Sequence, residues 1–395
     1  MNRLSIKPEV PMHQILSRAL RPRRGERGQV IVIAAISMVA LIGGVSLILE
    51  GGNAYAHQRV AQNAADAVAN GGATVLAQRL GGGTQTDADV LASTDALAAA
   101  NALTTYTAWY TNVKGQLLDA AGVVVTTTAT AARVGPADGD TAIPPGAQGF
   151  RVGGSQVFGT TFARVLGINE FTASAEATGI TGALTGGRVL PVVFPVSLAQ
   201  CDGSGNTVVT VEPWRLSNPN PDPELPPVGQ EYIVPLCKSG DGSFMVLDLD
   251  PNKDCEEEVT NPSSVQFNEF PVDVPTDNGN DCAKKIEDAM EAMDLQGSVV
   301  LIPICDGDCV TTGGSNGTYH IIRMTAFFVD YLSYGNKGPC DEGISPTYGT
   351  SMVNVAGGNG SSSCLVGWFV RYVTSGPVGS GAINNGEALG VQLIR

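Results

Sequence analysis

Asp248, Asp250, Asn252 and Asp254 place side-chain oxygens at alternate positions, the spacing with which a calcium loop begins, and Glu256, Glu257 and Glu258 follow at once. Calcium takes six to eight oxygen ligands, so this run supplies several of them. Two positions depart from such a loop: Lys253 stands sixth, where glycine makes the turn, and Val259 stands twelfth, where a bidentate glutamate closes it. Two readings stay open, a calcium-stabilised loop and a solvated acidic turn. Calcium is the one cofactor the residues suggest. The second candidate chemistry is thiol chemistry. All eight cysteines (Cys201, Cys237, Cys255, Cys282, Cys305, Cys309, Cys340 and Cys364) lie after residue 200. An even number in one part of the chain predicts disulfides made in an oxidising compartment, with 105 possible pairings for eight cysteines. Zinc is the alternative, but no C-x-x-C pair occurs and the chain has only three histidines, His13, His57 and His320. Nucleophilic catalysis has little support: the G-x-S-x-G at Gly313-Gly314-Ser315-Asn316-Gly317 reads as a Gly-rich hairpin loop and not as a strand-to-helix turn, and His320 lies in a strand-like run, TYHIIRM. The residues predict a protein that is not an enzyme.

The elements that must carry these groups begin with an apolar run. Gln29 to Leu49 is 21 residues without a charge. As a helix it spans ~31 Å, the thickness of a bilayer's hydrocarbon core. Backbone groups in lipid must be satisfied internally, so a helix is the form expected. The flanks set its direction. Residues 1–28 carry seven Lys/Arg and two acids, and the remainder carries 16 and 36, giving net charges of +5 and −20 within a total of −15. The basic end is expected in the cytoplasm and the acidic body outside it. An acidic body repels phosphate, which argues against nucleic acid as a partner and leaves membrane lipid as the first one. A cleaved signal peptide is the rival reading, since Ala54-Tyr55-Ala56 fits an A-x-A site. The apolar run is longer than the usual 7–15-residue h-region, which favours an uncleaved anchor.

Ala40 and Gly44 form a small-xxx-small pair that would let a second membrane helix approach. Beyond Glu50 the helix is expected to continue through an alanine-rich stretch whose residues Ala61, Ala65, Val68 and Gly72 share one face. A stripe of small residues packs closely but buries little area, so it calls for a partner, and lateral helix packing through positions 40–72 is the reading. Gly81-Gly82-Gly83 should end the helix. A second helix is predicted over Asp87–Thr111. Strands are predicted over Val123–Arg133, Phe150–Phe158 and Phe171–Thr178, with a turn at Pro144-Pro145-Gly146 and a short helix over Thr160–Leu166. Thr181–Gly187 reads as a Gly/Thr-rich linker. After it prolines and cysteines become frequent, and strands are predicted over Val189–Val196, Thr207–Trp214, Ser243–Leu249, Ser298–Ile304, Tyr319–Leu332, Leu365–Val373 and Ala388–Ile394, interrupted by one helix over Cys282–Met293. The fold class expected is α+β. The organisation is a basic tail (1–28), a transmembrane helix (29–49) extended into an amphipathic helix with a small α+β module (50–180), and a β-rich, disulfide-containing exported domain (188–395).

Several of these residues together resemble a known family. Glu26-Arg27-Gly28-Gln29 leads into the apolar helix, Asn53-Ala54-Tyr55 leaves it, and Gln62-Asn63-Ala64-Ala65-Asp66-Ala67 follows. Further on, Thr161-Phe162-Ala163-Arg164-Val165-Leu166-Gly167 precedes Ala173, Ala175 and Ala177. In that order they resemble the TadE/TadG-like proteins of Tad/Flp pilus assembly. The resemblance implies a single-pass inner-membrane component of a type IV-like pilus or secretion machine, a pseudopilin-like α+β module, and other pilus-assembly membrane proteins or pseudopilins as partners. Two features of related proteins are missing. Pseudopilins of this kind carry a glutamate five residues after the cleavage-site glycine, but Ile33 occupies that position after Gly28. A D-x-S-x-S metal site, present in some TadG-like proteins, does not occur.

Overall fold

The computed structural model describes residues 27–135, 142–195, 232–236, 247–276 except 262, 263 and 268, 295–305, 317–333, 353–354, 363–383 except 382, and 387–394, with 285, 288, 289 and 292. One helix, α1 (Arg27–Leu80), takes in the apolar run and the alanine-rich stretch without a break, and the glycines from residue 81 end it as expected. A second helix, α2 (Asp87–Ala100), is shorter than predicted. Ala102 takes φ 55° beyond it, and Thr105–Thr111 then forms strand β1 rather than a further helical turn. The residues explain the correction: TYTAWYT is made of β-branched and aromatic residues with one alanine, a composition suited to a half-buried strand.

The chain then gives β2 (Gly149–Gly159), a 3-10 turn (Ala163–Leu166), β3 (Glu170–Ala183), β4 (Gly186–Arg188) and β5 (Phe194–Pro195). Further along lie β6 (Tyr232–Leu236), α3 (Cys255–Thr260), β7 (Ser264–Gln266), β8 (Val272–Pro275), β9 (Ser298–Cys305), β10 (Thr318–Ser333), β11 (Val353–Asn354), β12 (Ser363–Val370), β13 (Val373–Ser375) and β14 (Leu389–Ile394). Among the described residues these strands make three sheets. A five-stranded sheet runs β1-β2-β3-β14-β13. A seven-stranded one runs β11-β6-β12-β10-β9-β5, with β8 also on β10, and β4 pairs β7. The α+β class is thus as read, and the strands predicted over Ser298–Ile304, Tyr319–Leu332 and Ala388–Ile394 are present as β9, β10 and β14.

Three further expectations change. Val123–Arg133 makes only isolated bridges, Leu118 with Val124 and Trp109 of β1 with Arg133; its threonines between them face solvent. Thr181–Gly187 is not a linker: its first three residues finish β3 and its last two begin β4. Gly182 within it marks a close approach, since a Cβ there would stand 2.7 Å from the Gly379 carbonyl oxygen. Val189–Val196 holds only the two residues of β5 in a strand, with Val189 bridged to Leu301. Thr207–Trp214 and most of Cys282–Met293 lie outside the described residues.

The chain divides into two compact units, Met1–Gln58 with Val157–Ala173, and Arg59–Gln156 with Ser174–Arg395. In the second unit one core joins Ala73, Leu76 and Ala77 of α1 to Val90, Tyr110, Phe150 and Leu389. Another gathers Leu184, Val193, Leu301, Tyr319, Ile321 and Trp368 around the seven-stranded sheet. Phe328 stacks on Trp368 across β10 and β12, with ring centroids 4.6 Å apart.

Candidate membrane-proximal site

Gln62, Ala65, Val68, Ala69, Gly72 and Ala73 show what α1 does after residue 58. Ala61, Ala65, Val68, Ala69 and Ala73 are all fully buried. The Gln62 Nε2 donates to the Glu176 carbonyl at 3.0 Å, and Ala69 passes Gly179 so closely that a Cβ there would lie 2.6 Å from the Ala69 oxygen. A Cβ on Gly72 would meet Phe150 and Thr94 side chains at 3.1 Å. The small-residue stripe therefore has its partner inside this chain, in β2, β3 and α2. This corrects the lateral reading for Ala61, Ala65, Val68 and Gly72: the face is small because the sheet presses on it. Buried Ala175 and Ala177, alternating with exposed Ser174 and Glu176, give β3 the matching small face.

Ala40 and Gly44 differ. Both are exposed, and a Cβ on Gly44 would meet nothing within 4 Å. From Val30 to Leu49 the apolar side chains stand open among the described residues, Leu41 and Val39 each 71% exposed. This is the one candidate membrane span among the described residues. In water such a surface would be costly at about 25 cal/mol per Å2; in lipid it is matched.

Glu50 closes that run. It is the only acid between Glu26 and Asp66, and it is buried, 9% exposed. Its Oε1 accepts from three successive backbone amides, Thr161 and Phe162 at 2.6 Å and Ala163 at 3.1 Å. These amides lead into the 3-10 turn, where the free N–H groups of a helical start favour a carboxylate. Gly167 then reverses the chain at φ 84°. The Thr160 amide donates to the Asn169 carbonyl at 3.0 Å, closing the neck of the loop. About two helical turns beyond Glu50, His57 stacks flat on Phe158 with centroids 4.0 Å apart, and Phe158 tilts against Phe171. The sequence reading passed over Glu50, although a lone acid at the end of an apolar run was the available signal: a charge there is kept for a partner. The partner is the stretch Thr161–Ala163, so two segments noticed separately in the sequence form one site.

The other described candidate residues lie in a turn, a helix cap and strand pairs. Asp254 caps α3, accepting from the Glu257 amide at 2.9 Å, and that bond holds its carboxyl below the usual range, helped by Lys285 at 3.5 Å. Asp250 Oδ1 accepts from both nitrogens of Asn252, and the buried Glu258 accepts from the Leu249 and Asp250 amides. Asp250, Asn252 and Asp254 thus build a turn and a helix cap, and the Asp248 amide donates to the Pro275 carbonyl at 2.9 Å. No group of three His, Cys, Asp or Glu suited to a metal occurs among the described residues. Cys255 and Cys305 are buried and neither is a free thiol; the side chains of Cys201, Cys237, Cys282, Cys309, Cys340 and Cys364 lie outside the described residues. His320 pairs with Asp273 at 2.8 Å on the exposed face of β10 and β8. A buried node ties α2 to the sheet: the Tyr110 hydroxyl donates to Asp87 at 2.6 Å and the Gly135 amide donates to the same carboxylate at 3.0 Å. Burial and that carboxylate push the Tyr110 hydroxyl far above its ordinary pKa.

Residues 28–75 match the family model of Flp pilus-assembly TadE/G-like proteins, the stretch that holds the apolar run, Glu50 and most of the buried stripe. No curated protein and no solved structure matches the chain.

Proposed function

We propose, for a chain that belongs through residues 28–75 to the Tad/Flp pilus-assembly TadE/TadG-like family, the role of a membrane-anchored structural or assembly factor of that machine. The observation that carries the reading is the coincidence of the family match with the open apolar helix ending at Glu50. The helix is the anchor, the basic residues 1–28 stay in the cytoplasm, and the acidic body stands outside. Its partners are membrane lipid and the other membrane proteins or pseudopilins of the apparatus. Ala40 and Gly44, open on the helix, are the place where a second membrane helix packs. Cysteines of the body close its β-rich part by disulfides in the oxidising compartment. The protein works by association rather than by catalysis.

The test is deletion of the gene in its own host, with pili counted by electron microscopy and assembled pilin measured in the sheared fraction. Loss of pili, restored by the intact chain and not by one lacking residues 29–49, is the expected result. Normal piliation in the deletion strain would overturn the role.

A further inference from the structure

The loop between β2 and β3 displays apolar side chains where a water-facing loop has no use for them. Phe162 is 37% exposed and Ile168 44%, with Val157 40% at the end of β2 and the Arg164 side chain open beside them. The position of this loop along α1 is fixed by Glu50, the residue immediately after Leu49, because its carboxylate grips the amides of Thr161, Phe162 and Ala163 within 3.1 Å. The loop therefore sits level with the end of the apolar run, where hydrocarbon gives way to headgroups. Tyr55, 66% exposed, lies about 9 Å further along the helix, within the depth at which aromatic rings collect at a membrane boundary.

We propose that residues 160–168 form a second membrane contact, in which Phe162 and Ile168 enter the headgroup and upper acyl layer of the bilayer that α1 crosses. The occupant is phospholipid, chosen by continuity: the loop is clamped to the boundary of a helix whose own apolar side chains are open over the preceding 20 residues. Arg164 completes the pattern, its stem lying with the apolar groups and its guanidinium reaching phosphate. Aligning the loop with the end of a rigid helix gives the protein two points of attachment, which fixes its rotation about the helix axis. A single helix leaves that rotation free. Glu50 acts here as the positioning residue: buried against backbone amides, it carries its charge at the membrane edge and sets the depth of the loop.

The inference rests on the anchored reading, and one experiment separates the two. The full-length chain carries a photoreactive benzophenone side chain at position 162, 168, 42 or 127, is reconstituted into phosphatidylethanolamine and phosphatidylglycerol vesicles, and is irradiated. Phospholipid adducts at 42, 162 and 168, well above the level at the exposed loop position 127, are expected. An adduct at 42 with only background at 162 and 168 overturns the loop contact and leaves the anchor standing. Background at 42 overturns the anchor itself. Adding Glu50→Ala should lower the adduct several-fold at 162 and leave it unchanged at 42; an equal yield at 162 would overturn the positioning role. In host membranes, a protein adduct at 162 in place of lipid would also overturn the proposal.

Discussion

The two parts of α1 are one continuous helix with opposite demands on their surroundings. Between Val30 and Leu49 most side chains are large, branched and open, with Ala40 and Gly44 among the small ones; between Ala61 and Ala77 the buried ones are mainly alanine and are fully covered. The first part is left open by the described residues, and its residue sizes suit fluid hydrocarbon, which conforms to any side chain. The second part meets a rigid sheet, which does not conform. Helix and strand approach until the Ala69 carbonyl lies against Gly179, and only small residues on both sides permit it. Hydrophobicity alone does not separate these two environments; residue size does.

The sharpest way to break that contrast is to enlarge one glycine in each part. Gly179→Leu puts a side chain where a Cβ already lies 2.6 Å from backbone. It should cost about 3 kcal/mol, at the upper end for overpacking, and lower the melting temperature in detergent by about 10 °C. Gly44→Leu, with nothing within 4 Å of its Cβ, should leave the melting temperature unchanged. Its effect should appear only as weaker helix association, read by cross-linking between Cys-substituted helices or by co-purification of partners. If Gly44→Leu destabilised the body as much as Gly179→Leu, the division of the helix would be wrong.

A smaller effect is expected at the junction of the two parts. Glu50→Ala removes the acceptor of three amides and leaves the core around Leu76 and Phe150 untouched. Hydrogen exchange of the full chain in nanodiscs should show faster exchange at Thr161, Phe162 and Ala163, with protection in β1 and in Gly149–Gln156 of β2 retained. Unchanged exchange at the three amides would mean that the loop holds itself.

These contrasts also explain what could be read from the chain in advance. The apolar run, the end of α1 at its glycines and the strands β9, β10 and β14 were legible because each rests on a local pattern of period or turn residues. The stripe Ala61, Ala65, Val68 and Gly72 was legible as a packing face, but its partner was not. The matching surface, Ala175, Ala177 and Gly179, lies more than 100 residues away, and an Ala-rich face fits a second helix as well as a sheet. Thr105–Thr111 was read as helix because it continues an alanine-rich segment, yet β-branched and aromatic residues there gain a long pairing with Gly149–Ser155. The acidic run Asp248–Asp254 had the spacing of a metal loop, and capping uses the same residue types. Glu50 was missed because its partners are backbone amides, which carry no side-chain signature.

Acid sharpens the comparison with the smallest expected effect. No ionisable side chain lies between Gln29 and Leu49, so the apolar part of α1 has nothing to titrate. The packed body has capping carboxylates. Asp89 accepts from the Thr86 amide at 2.7 Å and the Thr86 hydroxyl at 2.8 Å, and the amide above all holds its carboxyl below the ordinary value; Asp254 is held down in the same sense by the Glu257 amide. A carboxyl whose folded pKa is lowered adds stability that is fully present above its unfolded value, near 4, and is lost as pH falls through the folded value. The melting temperature of the body should therefore hold between pH 7 and about 5 and decline below about 4. Asp89→Asn should flatten part of that decline, since the amide, unlike the carboxylate it replaces, takes up no proton in this range. The helical signal of the apolar part, followed in nanodiscs by exchange of residues 30–49, should not change over the same range. A melting temperature that stayed level through pH 3 would show that the caps add nothing to the packed part of the molecule, and would leave tight packing of small residues as its whole support.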